Sequence, residues 1–189
     1  VGLRKRKSRF LLGNLCPHQR VVEADENVAL LDLLALAKRD LGNPVAELQK
    51  ALKDGEFVPY YQPIVDITNG QLRGAEVLMR WRKPDGTILS PSAFIPLAES
   101  SGLVLEMTRA IMRSVRDELG DAVVERPFLH IGFNLAARHF MDEQIVTDVR
   151  EIFEGSQVRL TQIVLEVTER QSLDSLTSAR RVIAALQGL

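Results

Sequence analysis

The sequence predicts an α/β fold, and three observations carry that reading. Short runs with strand character alternate with helical segments, the order expected of parallel α/β structure. Those runs are mostly apolar, as strands are when both faces of a sheet are covered. Three of them end in a polar residue bearing an oxygen: Glu76, Asn134 and Glu166. The chain has 189 residues, 46% of them hydrophobic, enough for a sizeable core and suggestive of one domain plus an extension.

Taken in order, Asn27 is placed to cap a helix from Val28 to about Asp40, apolar on nearly all sides through Leu30, Leu31, Leu33, Leu34, Leu36 and then Leu41. Such a helix wants burial on more than one side, which core packing, a further domain or a second copy would each supply. Gly42-Asn43-Pro44 breaks the chain and reads as a linker before a short helix, Val45 to Lys53. The first strand spans Phe57 to Asp66, a turn falls at Asn69-Gly70, and the second strand spans Gln71 to Trp81. Lys83-Pro84-Asp85-Gly86 is a turn, and Ser90-Pro91 reads as an N-cap with proline at the first helical position. That helix ends at Gly102. The next carries Leu103, Met107, Ile111, Val115 and Leu119 in four-residue steps, which makes one apolar stripe. Pro127 to Asn134 is a third strand, His139 to about Phe153 a helix, Gln162 to Thr168 a fourth strand, and Ser172 to Leu186 a closing helix.

Charge separates few functions. Lys and Arg total 24 against 25 Asp and Glu, and the net charge of −1 gives no global pull toward nucleic acid or membrane, so neither DNA nor RNA is expected as a partner. The basic block Arg4, Lys5, Arg6, Lys7 and Arg9 reads either as a solvated tail or as a cytoplasmic juxtamembrane segment below an upstream membrane or sensor domain. No run of about 18 apolar residues is present to span a bilayer, and no signal peptide is evident. The single cysteine, Cys16, excludes an internal disulfide and fits a reducing, cytoplasmic compartment. It sits in an irregular stretch with no evident base partner, which argues against a catalytic thiol.

The chemistry gathers at the strand ends. Residues two apart on a strand share a face, so Glu76, Leu78 and Arg80 point one way and Val77, Met79 and Trp81 the other. A buried carboxylate and guanidinium need partners, because unpaired buried charge is costly. Glu76 with Arg80 alone could form a structural ion pair, and Asn134 alone could cap the following helix. Glu166, a lone carboxylate in the apolar strand Ile163-Val164-Leu165-Glu166-Val167, needs a cation. Parallel α/β barrels gather their active sites at the carboxyl ends of their strands, and three hard oxygen donors converging there suit Mg²⁺ or Mn²⁺ rather than zinc or copper. His130 shares the Asn134 face and is read as a hydrogen-bonded structural histidine; His18 and His139 are read as surface residues.

The segments YYQPIVD, GAEVLMRW, FIPLAESSGL, FNLAARHF and IVLEVTER together resemble the EAL family, the bacterial phosphodiesterases that hydrolyse cyclic di-GMP, in both order and approximate spacing. The family's name-giving Glu-Ala-Leu stands here as Glu76-Val77-Leu78, and Ala136 stands where the family often has serine. The resemblance divides the chain into residues 1–45, a basic segment with a helix and linker, and 46–189, a partial EAL domain. It implies a partial TIM-like barrel, about the first four strands, with one strand reversed. By the same resemblance Glu76, Asn134 and Glu166 hold catalytic Mg²⁺ or Mn²⁺, with Glu76 and Glu166 catalytic. Gln62 and Arg80 contact the dinucleotide, and Glu169 steadies a loop near the metals.

The family continues into a fifth strand with an Asp-Asp-Phe-Gly motif and into later strands with a lysine and another glutamate, none of which these 189 residues contain. A complete barrel of this kind takes about 250 residues. The resemblance therefore implies a cyclic di-GMP phosphodiesterase in the complete protein and no hydrolysis by this chain alone. Its competitor is a non-catalytic module that binds cyclic di-GMP or a protein partner as a regulator; an unrelated TIM-like metal enzyme fits the motif order less well. Half a barrel leaves strand edges unpaired and apolar interior uncovered, so the isolated chain is expected to be poorly soluble or to form homodimers. Sedimentation of a clean monomer with a cooperative melt would contradict this.

Overall fold

Asp66 organises the turn from which the sheet begins. Its Oδ1 accepts hydrogen bonds from the backbone N–H of Thr68 at 2.9 Å and from the Thr68 hydroxyl at 2.6 Å, and its Oδ2 pairs with Arg73 Nη2 at 3.0 Å. Those bonds, Thr68's foremost, hold its carboxyl below the usual range, at about 2. Gly70 closes the turn with φ +70°, where glycine carries no side-chain penalty. The turn folds β1 (Phe57–Val65) antiparallel onto β2 (Leu72–Arg82). The computed structural model describes residues 43–141, 143–167 and 176–189.

From β2 onward the main sheet is parallel. A two-residue strand, β3 (Ile88–Leu89), turns back onto the end of β2. Then β4 (His130–Leu135) lies parallel to β2, and β5 (Ile163–Val167) parallel to β4. The order β1-β2-β4-β5 sets one reversed strand beside a parallel set, as the family resemblance implies. At the β2–β4 crossing the backbones meet closely: a Cβ on Gly74 would stand 2.2 Å from the His130 carbonyl oxygen.

Five helices complete the described chain: α1 (Pro44–Lys53), α2 (Ile95–Ser101), α3 (Val104–Val124), α4 (Gln144–Phe153) and α5 (Leu176–Gln187). Phe57, Val77, Trp81, Ile131, Phe133 and Leu135, all on one face of the sheet, are buried together with Met107, Ile111 and Val115 of α3 and with Val149, Ile152 and Phe153 of α4. Phe57, Trp81 and Phe94 form a ring cluster with centroids 5.3–6.1 Å apart, and the Trp81 indole N–H reaches Glu56 at 2.7 Å. Tyr61 on this face donates to Glu118 of α3 at 2.7 Å; burial first, then that bond, pushes its phenol far up. The opposite face, with Ile64 and Val164 at 44% and 39% exposure, is open among the described residues. None of the described helices is long and apolar enough to cross a membrane.

Several local readings change. Asn43 and Pro44 are not linker. The Asn43 side chain accepts from Val45 N–H at 3.1 Å and Pro44 is the first helical residue, so α1 starts there. Ser90 precedes only a 3₁₀ turn at Pro91–Ala93 and makes no side-chain cap; its hydroxyl meets that of Ser92 at 2.8 Å. The third strand begins at His130 rather than Pro127. The helix expected from His139 begins at Gln144, after a separate 3₁₀ turn at Ala137–Phe140. Gly102 does end α2, in the left-handed conformation. The expected helix at 28–40, the basic block, Cys16, His18, Thr168, Glu169 and the start of the closing helix at Ser172 lie outside the described residues.

Because the atom that a Gly74 Cβ would strike is backbone, no rotamer change relieves it. Gly74→Ala is expected to cost about 1–3 kcal/mol of stability, measured as a lower midpoint in denaturant unfolding; an unchanged midpoint would show that β2 and β4 separate freely.

Candidate functional site

The hairpin register fixes what the open face carries. Gln62 stands opposite Glu76, Tyr60 opposite Leu78 and Val58 opposite Arg80. Parallel pairing sets Glu76 beside Gly132 and Asn134 beside Glu166. Alternation along each strand therefore collects Gln62, Glu76, Arg80, Asn134 and Glu166 on one surface, opposite the helix-covered core. The structure brings together all five of the described residues singled out from sequence.

At the centre, the Asn134 amide nitrogen donates to Glu76 Oε1 at 2.7 Å. Asn134 thus holds a carboxylate; the 3₁₀ turn that follows it is preceded by Ala136 as N-cap instead. The Asn134 carbonyl oxygen, turned from that bond, remains a hard donor atom. Glu166 reaches inward from β5: a Cβ on Gly132 would stand 2.6 Å from its Oε1 and 3.7 Å from the Glu76 Cα. The glycine is the gap across which the two carboxylates approach. Burial first, and then the charge of Glu76, raises the Glu166 carboxyl above its ordinary value.

No positive side chain among the described residues pairs with either carboxylate. Arg80, the alternative partner of Glu76, turns elsewhere: its Nη1 donates to the Met79 carbonyl at 3.0 Å and its Cζ lies 5.8 Å from the Tyr60 ring centroid. Burial lowers its pKa. Two uncompensated carboxylates, an amide oxygen and a gap kept clear by glycine fit a divalent, oxygen-preferring cation such as Mg²⁺, Mn²⁺ or Ca²⁺.

Two histidines fall differently from expectation. His139 is buried, with its Nδ1 3.1 Å from both the Ala136 nitrogen and the Ala136 carbonyl oxygen, so that according to tautomer it accepts from the first or donates to the second. His130, at the start of β4, is exposed, with no side-chain hydrogen bond to another described residue to mark it as structural. Gly132 and Tyr60 escaped the sequence reading. A glycine inside an apolar strand, two residues before Asn134, is the signal that marks the first. The hairpin register, which puts Tyr60 diagonally across from Arg80, marks the second.

The family model for the EAL domain matches residues 45–189. The probable cyclic di-GMP phosphodiesterase PdeB of Escherichia coli (strain K12) is 40% identical over 152 residues, 80% of this chain and 29% of that protein. The chain therefore spans less than a third of the length of that curated relative. Among solved structures, the PaMucR phosphodiesterase in complex with c-di-GMP superposes with a TM-score of 0.69 at 26% identity, covering 76% of this chain and 59% of that one. The Bacillus subtilis YkuI protein, which has an EAL domain and was solved with substrate c-di-GMP and calcium, gives a TM-score of 0.62 at 25% identity, covering 78% and 36%.

A carboxyl whose folded pKa is raised disfavours the fold once it ionises. The cost of Glu166 is absent below the ordinary glutamate range and grows as pH rises through its raised value. Without divalent cations, Glu166→Gln is expected to raise the melting temperature at pH 7 and to leave it unchanged near pH 4. Equal melting curves at both pH values would refute the assigned environment.

Proposed function

The chain belongs to the EAL domain family, and from that premise we propose that it supplies the metal- and phosphate-binding face of a cyclic di-GMP phosphodiesterase. The observation that carries the reading is the convergence of Glu76, Asn134 and Glu166 around Gly132, with no cationic side chain among the described residues paired with either carboxylate. Under this reading Glu76 and Glu166 hold Mg²⁺ or Mn²⁺ as ionised carboxylates, and Asn134 adds its amide oxygen. The calcium in the YkuI structure is consistent with a site for hard divalent ions.

When bound, such ions would supply Lewis-acid polarisation of a phosphodiester and would acidify a water toward nucleophilic attack at neutral pH. The chain's own residues orient the reaction. Asn134 fixes one Glu76 oxygen through a 2.7 Å bond and leaves the other free. Burial and then the Glu76 charge raise the Glu166 carboxyl, and a cation held between the two acids would favour its ionised form. Arg80 offers guanidinium N–H donors to a phosphate oxygen, and Gln62, opposite Glu76, offers its amide to the same ligand. Hydrolysis places the water oxygen on phosphorus, breaks one bridging P–O bond, protonates the leaving oxygen and opens the cyclic dinucleotide to a linear one. Glu169 retains its proposed role as a loop support. We place the protein in the cytoplasm, consistent with its single cysteine.

A second reading, binding of cyclic di-GMP without cleavage, rests on donor number. Two carboxylates and one amide are the protein donors on the described strands, whereas two Mg²⁺ ions together need on the order of a dozen oxygen ligands from protein, substrate and water. Turnover by the 189-residue chain alone is accordingly not expected. In the full-length protein with Mg²⁺, Glu76→Ala is expected to lower cyclic di-GMP turnover by more than about 100-fold with an unchanged far-UV spectrum. Wild-type turnover in that variant would reject the ligand assignment. Tight binding by the wild type with no linear product would establish the second reading.

A further inference from the structure

Tyr60 belongs to neither the core nor the metal-binding set, yet it shares the open face with Arg80. It stands directly opposite Leu78, one cross-strand step from Arg80 along β2. Diagonal neighbours in an antiparallel pair lie about 7–8 Å apart, within reach of an aromatic ring and a long side chain. The two do meet: the Arg80 Cζ is 5.8 Å from the ring centroid. Arg80 is therefore restrained twice, by the ring and by the 3.0 Å bond from its Nη1 to its own strand's Met79 carbonyl. Tyr60 and Arg80 are both only partly buried, so the remaining guanidinium donors stay accessible from the open face.

We infer that Tyr60 is the positioning residue for Arg80, holding its guanidinium ready for a phosphate of a cyclic dinucleotide. The inference rests on the reading of Arg80 as a phosphate contact. A free arginine side chain on an open strand face samples many rotamers and loses that freedom when it binds an anion. The ring and the Met79 carbonyl remove much of that loss in advance. An aromatic ring also accepts the guanidinium face without neutralising it, whereas a carboxylate partner would compete with the incoming phosphate. Glu76, the nearest such competitor in sequence, is held by Asn134 instead. Charge and restraint are thereby assigned to different neighbours: the acid stays with the metal site and the ring keeps the cation.

The test measures cyclic di-GMP affinity of the full-length protein by calorimetry without divalent cations, which keeps the ligand intact. Tyr60→Leu is expected to weaken binding about 2- to 20-fold, and Tyr60→Phe, which keeps the ring, to stay within about twofold of wild type. In an Arg80→Met background, Tyr60→Leu should cause no further loss. Tyr60→Thr replaces the leucine variant should that one fail to fold. Wild-type affinity in Tyr60→Leu, or the same loss with and without Arg80, would overturn the inference while leaving the phosphate reading of Arg80 intact. Wild-type affinity in Arg80→Met would instead overturn the phosphate reading, and the inference with it.

Discussion

Two carboxylates on non-adjacent strands, drawn together across one glycine, set the terms for the rest of this molecule. Burial, and after it the charge of Glu76, raises the Glu166 carboxyl, so the two acids are held in an arrangement that disfavours ionisation of both together. A sheet that tolerates such an arrangement must be held by something stronger elsewhere. Here that is the opposite face, where the Phe57–Trp81–Phe94 ring cluster and the buried stripe of α3 fix the strands in place. The covered face supplies stability, and the open face uses it to hold an unfavourable arrangement that, on the proposed reading, a cation would relieve.

Strand register converts that stability into geometry. The Asp66 turn determines which residue of β1 faces which residue of β2, and a slip of one position would send Glu76 and Arg80 into the core and Val77 and Trp81 to the surface. Gly74 then lets β4 approach β2 closely, bringing Asn134 within 2.7 Å of Glu76. Three glycines serve this end differently: Gly70 by its positive φ, Gly74 by admitting a backbone, and Gly132 by admitting a carboxylate.

Much of this was legible in the sequence, and the parts that were not share a cause. Strand alternation alone places Glu76 with Arg80, and the apolar context of Glu166 marks it as needing a partner. What alternation cannot give is which competing partner wins. A Glu76–Arg80 ion pair and an Asn134 helix cap were both reasonable local readings, and both lost to a cross-strand bond between residues 58 positions apart. A polar residue in a turn is usually exposed, yet His139 is buried, where its ring nitrogen meets the Ala136 backbone. The misplaced starts of β4 and α4 have a similar origin. Pro127, Phe128 and Leu129 carry apolar side chains suited to a strand but lie in a turn, and Phe128 is 78% exposed.

The separation of Arg80 from Glu76 also bears on how one strand can present both signs of charge to one ligand. Were the two paired, a phosphate would have to displace a carboxylate and a metal would have to displace a guanidinium, each at the cost of desolvating the released group. In this arrangement neither exchange is needed. Asn134 occupies Glu76 with a neutral donor that a cation can supplement, and Tyr60 occupies Arg80 with a neutral ring that an anion can supplement. The neutral neighbours restrain the charges without cancelling them, so on the proposed reading the same face would attract both a cation and an anion.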